Sequence, residues 1–203
     1  MSSPQTTHKR VGIFAGSFDP IHDGHLAVVE SAIKNIGLDR VLIMVEKNPW
    51  SSKKPISIEH RKNMVNLAIE NIDNVKQLEL EDDRFDLEKT LPQIEYLYQG
   101  SELHFIFGAD VFLQINKTNW PGLKKLLEHK IVVFERSNIS EEEITGHSIK
   151  LGIAVSIFPS QHPHHSSTDV RRKPHNKHIW LPSNIAKYID ENELYSVSDS
   201  NSE

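Results

Sequence analysis

The chain has 203 residues, of which 25% are charged and 37% hydrophobic, and its formal net charge is −5. That length suits one domain or a little more, no apolar run approaches the ~20 residues that cross a membrane, and the acidic total argues against a protein built to wrap nucleic acid, whose usual footprint is strongly basic. Cysteine is absent, which removes disulfides, thiolate metal sites and thiol nucleophiles together. Residues 1–10 lack the apolar core of a secretory signal, so the expectation is a soluble, cytoplasmic protein.

Residues 1–9 and 196–203 are polar or acidic with little to bury, and both read as disordered tails. The stretch 10–195 then forms one domain. Short β-branched runs predict strands over 11–15, 41–45, 75–80, 103–107, 131–134 and 154–158. Amphipathic stretches predict helices over 25–36, 57–72, 87–98 and 120–128, the second opened by Ser57 as N-cap. A last helix lies within 181–195, with Ile185, Tyr188 and Ile189 on its inner face. Strands alternating with helices imply right-handed crossovers and a doubly wound α/β fold on a mostly parallel sheet. Ligands belong at the carboxyl ends of such strands.

The first strand runs into Gly16-Ser17-Phe18-Asp19-Pro20-Ile21-His22-Asp23-Gly24-His25. A glycine turn followed by a helix start puts free N–H groups and the positive end of a helix dipole at the sheet edge, which is an anion site. The three-glycine dinucleotide spacing and the Gly-Lys-Ser/Thr of a P-loop are both absent. His22 and His25, three apart, point the same way and can face one phosphate. As metal ligands they lack a third and fourth partner, and as capping histidines they would be ordinary. Their place at the first strand's end favours phosphate chemistry.

Further along, Lys47, Lys53 and Lys54 follow the second strand and either reach phosphates or form a solvated loop. Gly108-Ala109-Asp110 follows the fourth strand, where an aspartate can accept from ribose hydroxyls. Trp120 is either a core-edge residue or a ring platform. His162, His164 and His165 suggest a metal by composition. Two prolines and no neighbouring carboxylate favour a polar loop beside the site. Ser166-Ser167-Thr168-Asp169-Val170-Arg171 reads as an N-cap with a basic turn or as a second phosphate-accepting helix start.

The segment from Gly16 to His25 resembles the signature of the His-x-Gly-His nucleotidyltransferase superfamily, and Ser166 to Arg171 resembles its Ser-Ser-Thr-x-x-Arg box. With Gly108-Ala109-Asp110, Trp120 and the terminal Leu194-Tyr195, the chain is most similar to the nicotinate-mononucleotide adenylyltransferases. The resemblance implies a Rossmann-like nucleotidyltransferase fold and transfer of the AMP part of ATP to a pyridine mononucleotide, with pyrophosphate released. It makes His22, His25 and Arg171 catalytic. Gly16, Ser17, Phe18, Gly24, Gly108, Asp110, Ser166, Ser167 and Thr168 would hold ATP, and Trp120, Lys47, Lys54 and Thr90 the acceptor. Mg²⁺ would arrive with ATP rather than on a protein metal site, and neither nucleic acid nor membrane is implied; self-association is compatible with the sequence.

One element departs from the family. Phe85-Asp86-Leu87-Glu88-Lys89-Thr90-Leu91 stands where a Ser-Tyr-Thr element usually helps to recognise nicotinate, and only Thr90 and Leu91 are kept. An acidic run over 79–88 lies beside it. The acceptor is therefore open among nicotinate mononucleotide, nicotinamide mononucleotide, phosphopantetheine and a sugar or polyol phosphate. A non-catalytic ATP-binding module is the remaining alternative.

Overall fold

In the computed structural model, residues 9–49, 54–116, 120, 122–162, 164–172 and 179–195 are described. The expected tails, Lys9 apart, and Lys53 lie outside them. Six runs pair in parallel: β1 (Arg10–Gly16), β2 (Arg40–Val45), β3 (Val75–Gln77), β4 (Glu102–Gly108), β5 (Lys130–Phe134) and β6 (Val155–Phe158). Their order is β3-β2-β1-β4-β5-β6. The chain builds outward from β1 to β3, then crosses back to lay β4 against the other side of β1. That reversal opens a crevice beyond the carboxyl ends of β1 and β4.

Alternation along the strands sends side chains to two cores. Phe14, Val41, Ile43 and Val45 pack on one face against α1 (Asp23–Ser31), α2 (Ile58–Ile69), α7 (Ser167–Arg172) and α8 (Ser183–Glu191). Val11, Ile13, Leu42 and Met44 pack on the other against α3 (Thr90–Leu97), α4 (Ala109–Phe112), α5 (Leu123–Leu126) and α6 (Glu141–Leu151). Both faces of the sheet are covered, which is why its strands read as continuous apolar runs. On α8, Ile185 and Ile189 are buried and Tyr188 packs against the same core.

Several boundaries differ from the sequence expectation, each for a local reason. The first helix starts at Asp23, because His22 has extended dihedrals and serves as N-cap; its last turn, Ala32–Ile36, widens to a π-helix ended by left-handed Gly37. The third begins at Thr90 rather than 87, since the Asp86 carboxylate accepts the N–H groups of Glu88 and Lys89 and holds them in a turn. Around Trp120, among the described residues, only Leu123–Leu126 is helical, because Gly122 is left-handed (φ 80°) immediately before it. β3 stops at Gln77 as the chain enters the acidic run. The helix α6 was not among the expected ones, although Ser140 and Glu143 cap it reciprocally. Ser57 caps α2 as expected, accepting from the His60 N–H.

One buried cation fastens the loops at the crevice. Arg61 of α2 is 1% exposed, and its guanidinium donates to four carbonyls: Ile56, Ser17, Glu46 and Lys47. Ser17 follows β1, and Glu46 and Lys47 follow β2, so a single side chain sets the height of both strand ends. Replacing Arg61 by Met keeps most of the volume and leaves these carbonyls without donors. We expect a loss of roughly 3 kcal/mol, read in a thermal melt as a fall in Tm of about 6–12 °C.

Candidate active site

A cavity of about 610 Å³ lies over the carboxyl ends of the strands. Its floor is the turn after β1. Phe18 there is buried with a left-handed backbone (φ 46°), and its ring meets Phe14 and His25 edge to face at centroid distances of 5.3 and 5.1 Å. The strained turn is thus held by aromatic packing below it.

His22 and His25 stack on one another, with centroids 3.7 Å apart. The His22 backbone N–H donates to Nδ1 of His25 at 3.2 Å, so the proton of a neutral His25 resides on Nε2, the nitrogen left free to donate. His22 is 1% exposed, and its Nδ1 has no protein partner. Burial lowers the pKa of both, helped by the facing imidazole and Arg136 for His22 and by Arg136 for His25, which falls to about 3. Both rings are therefore neutral N–H donors. Gly24 makes the stack possible, since a Cβ there would stand 2.9 Å from Cε1 of His22 and 3.1 Å from Cβ of His165.

Beside the histidines, against the turn that precedes them, packs the Ser166–Arg171 segment. Ser166 Oγ donates to Asp169 Oδ2 and accepts the Asp169 N–H, while Ser167 Oγ donates to the Pro20 carbonyl. Arg171 donates to the Asp19 carbonyl at 2.6 Å and to Thr168 Oγ1 at 3.2 Å, and it lies 3.5 Å from the Asp19 carboxylate. The buried Asp19 takes a further hydrogen bond of 2.7 Å from the Tyr195 hydroxyl. Two segments 152 positions apart are thereby tied into one wall.

Of the residues picked from sequence, Gly16, Ser17, Phe18, His22, Gly24, His25, Gly108, Asp110, Trp120, Ser166, Ser167, Thr168 and Arg171 all line the cavity. Three do not. Lys47 is exposed and pairs with Asp83, and Lys54 is exposed at the end of its loop. Thr90 is fully buried, accepting the Asp86 N–H and donating to the Arg84 carbonyl, so it braces the 82–90 loop instead of meeting a ligand. His164 and His165 line the cavity, and His162 stacks on His165 at 4.5 Å. Among the described residues no group of three or more His, Asp or Glu is arranged to hold a metal ion.

Arg136 and Glu46 are among the lining residues that the sequence reading did not pick for the site. Arg136, after β5, lies 3.5 Å from Asp110 and donates to the His165 carbonyl. Its position directly beyond a strand was the signal available. Glu46, after β2, is 7% exposed and accepts the Phe85 N–H at 2.9 Å. A Cβ on Gly108 would sit 2.6 Å from Asp110 Oδ1, so glycine lets the aspartate fold back beside the strand end.

The neutral histidines have a consequence for stability. Unfolded histidine protonates near pH 6.5 whereas folded His25 resists to about 3, so between these values the unfolded chain binds more protons and stability falls as pH falls. Above pH 7 the effect is absent. We expect a loss on the order of 1 kcal/mol per pH unit from His25 below pH 6. His25→Asn, whose amide oxygen can still accept the His22 N–H, should flatten the decline in melts taken from pH 7.5 to 4.5.

Residues 13–173 match the cytidylyltransferase-like family. A "Probable nicotinate-nucleotide adenylyltransferase" of Clostridium botulinum is 32% identical over 198 residues, covering 92% of this chain and 98% of the relative. One of Chlorobaculum tepidum is 32% identical over 206 residues, covering 93% and 100%. The fold is shared with the Plasmodium falciparum nicotinic acid mononucleotide adenylyltransferase solved with NaAD, at TM-score 0.77 and 21% identity over 93% of this chain and 98% of that one. A sheet reversed beside β1, a His-x-Gly-His turn at its end and relatives matched over nearly their whole length converge on one assignment: the chain belongs to the cytidylyltransferase-like family and, within it, to the nicotinate-nucleotide adenylyltransferases.

Proposed function

We propose that this chain joins the AMP part of ATP to the phosphate of nicotinate mononucleotide, a step of NAD biosynthesis, releasing pyrophosphate, with nicotinamide mononucleotide as a further acceptor. The observation that carries the reading is the stacked His22/His25 pair, neutral and with one ring nitrogen free to donate, lining one cavity with Arg171. The names of the relatives matched over nearly their whole length support the substrate class.

An oxygen of the acceptor phosphate attacks the α-phosphorus of ATP in line, and the bond to the pyrophosphate oxygen breaks. An anionic oxygen needs no strong base at pH 7, so the work is positioning and neutralising charge. In this reading His25 Nε2–H and His22 donate to the α- and β-phosphate oxygens, beside the Gly16–Phe18 turn. Ser166, Ser167, Thr168 and Arg171 hold the leaving pyrophosphate; Gly108 and Asp110 receive the adenosine. Trp120 walls the acceptor's ring, with Phe85 and Phe107 packed against it at 5.9 Å.

Mg²⁺ bound with ATP neutralises phosphate charge. Four of the five described carboxylates lining the cavity are already engaged, Asp19 by Tyr195, Asp169 by Ser166, Glu46 by Phe85 and Asp110 by Arg136; the fifth is Glu135. That donor set fits a metal whose ligands are phosphate oxygens and water. The reading takes 10–195 as one working domain whose site needs no second copy, and it sets the reaction in the cytoplasm. Among the described residues no helix is long and apolar enough to cross a membrane.

Pyrophosphate release from Mg·ATP and nicotinate mononucleotide tests the assignment. His25→Ala should lower kcat by on the order of a hundredfold, the cost of one preorganised donor to developing charge, with an unchanged far-UV CD spectrum. Arg171→Ala should lower kcat/KM for ATP by a similar factor. Full turnover in both variants would overturn the reading.

A further inference from the structure

The two ends of the cavity differ in charge. The arginines that line it are Arg136 and Arg171. Arg136 follows β5, and Arg171 reaches the turn after β1 from α7. Glu46 stands beyond β2, on the far side of β1 from β4 and β5. Three strand spacings separate its strand from that of Arg136, roughly 14 Å. The lining at the Glu46 end is otherwise Phe85, Trp120, Pro49 and Pro55, a wall suited to a flat ring and supplied with one carboxyl.

That carboxyl is a placed group. Glu46 is 7% exposed, its N–H donates to the Gly16 carbonyl at 2.9 Å, its carbonyl accepts from Arg61, and its Oε1 accepts the Phe85 N–H. Burial pushes the Glu46 carboxyl up, and Arg61, although its donors go to carbonyls, pulls the other way through space. Arg84 acts on it through space from an exposed position. Glu46 thus occupies the N–H of Phe85 with an acid belonging to the protein itself, in the region where an acidic ring substituent would otherwise seek a donor.

Resting on the adenylyltransferase reading, we propose that Glu46 is a specificity-determining residue for the acceptor: it disfavours a ring carrying a carboxylate and accepts from a ring carrying a carboxamide, so that nicotinamide mononucleotide is used alongside nicotinate mononucleotide. A carboxylate brought to this end meets a like charge and, among the described lining residues, no arginine or lysine, whereas a carboxamide supplies the N–H that a carboxyl oxygen can accept. The pyridinium nitrogen common to both acceptors gains from the acid equally and does not discriminate.

Glu46→Gln tests this with little change of shape. Its Oε1 can still accept the Phe85 N–H, and its NH₂ can donate to a carboxylate. Pyrophosphate release is measured for wild type, Glu46→Gln and a control that removes an exposed acid, Glu59→Gln, with each mononucleotide. Wild type should use the two acceptors with kcat/KM values within about tenfold of one another, and Glu46→Gln should move the ratio toward nicotinate by roughly tenfold or more, with Glu59→Gln unmoved. A ratio unaltered in Glu46→Gln, or a wild-type preference for nicotinate above about a hundredfold, overturns the proposal while leaving the adenylyltransferase reading intact. Release with neither acceptor in wild type overturns that reading instead. Calorimetric Kd values of both mononucleotides for wild type then still read the preference without turnover, and much tighter binding of the carboxylate refutes the role of Glu46.

Discussion

The Asp19 carboxylate, 5% exposed at the floor of the crevice, holds three distant parts of the chain together. It accepts from the Tyr195 hydroxyl at 2.7 Å and lies 3.5 Å from Arg171, whose guanidinium also grips the Asp19 carbonyl. A buried carboxylate without such partners costs several kcal/mol. The turn after β1, the start of α7 and the end of the chain therefore settle as a unit or not at all. Burial beside Asp19 raises the pKa of the Tyr195 hydroxyl far above its ordinary value, so it remains a donor at any physiological pH. Arg171 owes its aim into the cavity to a tyrosine 24 positions later that does not itself line the cavity.

A second constraint concerns charge. Triphosphate chemistry invites cations, yet the two imidazoles at the centre are kept neutral by burial, helped for His22 by the facing His25. Arg136 reinforces this, since its positive charge opposes protonation of His22, His25 and His165 alike. The crevice therefore avoids a cluster of buried positive charges. The stack retains directed N–H donors, which a phosphate can accept from without first displacing a counter-ion. Stacking at 3.7 Å requires the bare Cα of Gly24, so the glycine of the His-x-Gly-His motif has a steric reason.

The legible part of this architecture is its local part. Alternating apolar runs marked all six strands, and the doubly wound topology followed from their alternation with helices. The His22/His25 turn and the Ser166–Arg171 box stood out because phosphate-binding turns are written in contiguous residues. Arg61 was read only as one position of a helix, and Glu46 and Tyr195 only as loop or terminus, because their roles depend on partners 39 to 176 positions away. Lys47, Lys54 and Thr90 differ in the opposite sense, standing off the cavity lining. Their chemistry suited a ligand, but Asp83 engages one, one stays exposed, and the 82–90 loop needs the third for its own hydrogen bonds.

This division has a physical origin. Phosphate is gripped by turn amides, helix starts and a few donors, all set by backbone that the β1–α1 and β6–α7 connections build for themselves. The acceptor's ring meets side chains delivered by β2, by the loop before α3 and by the segment before α5, three pieces that come together only in the folded sheet. Substitutions among those pieces leave the phosphate grip standing. A change such as the Phe85-to-Thr90 element can therefore alter what is adenylylated without altering how, with Glu46 fastening the altered loop to the end of β2 through the Phe85 N–H.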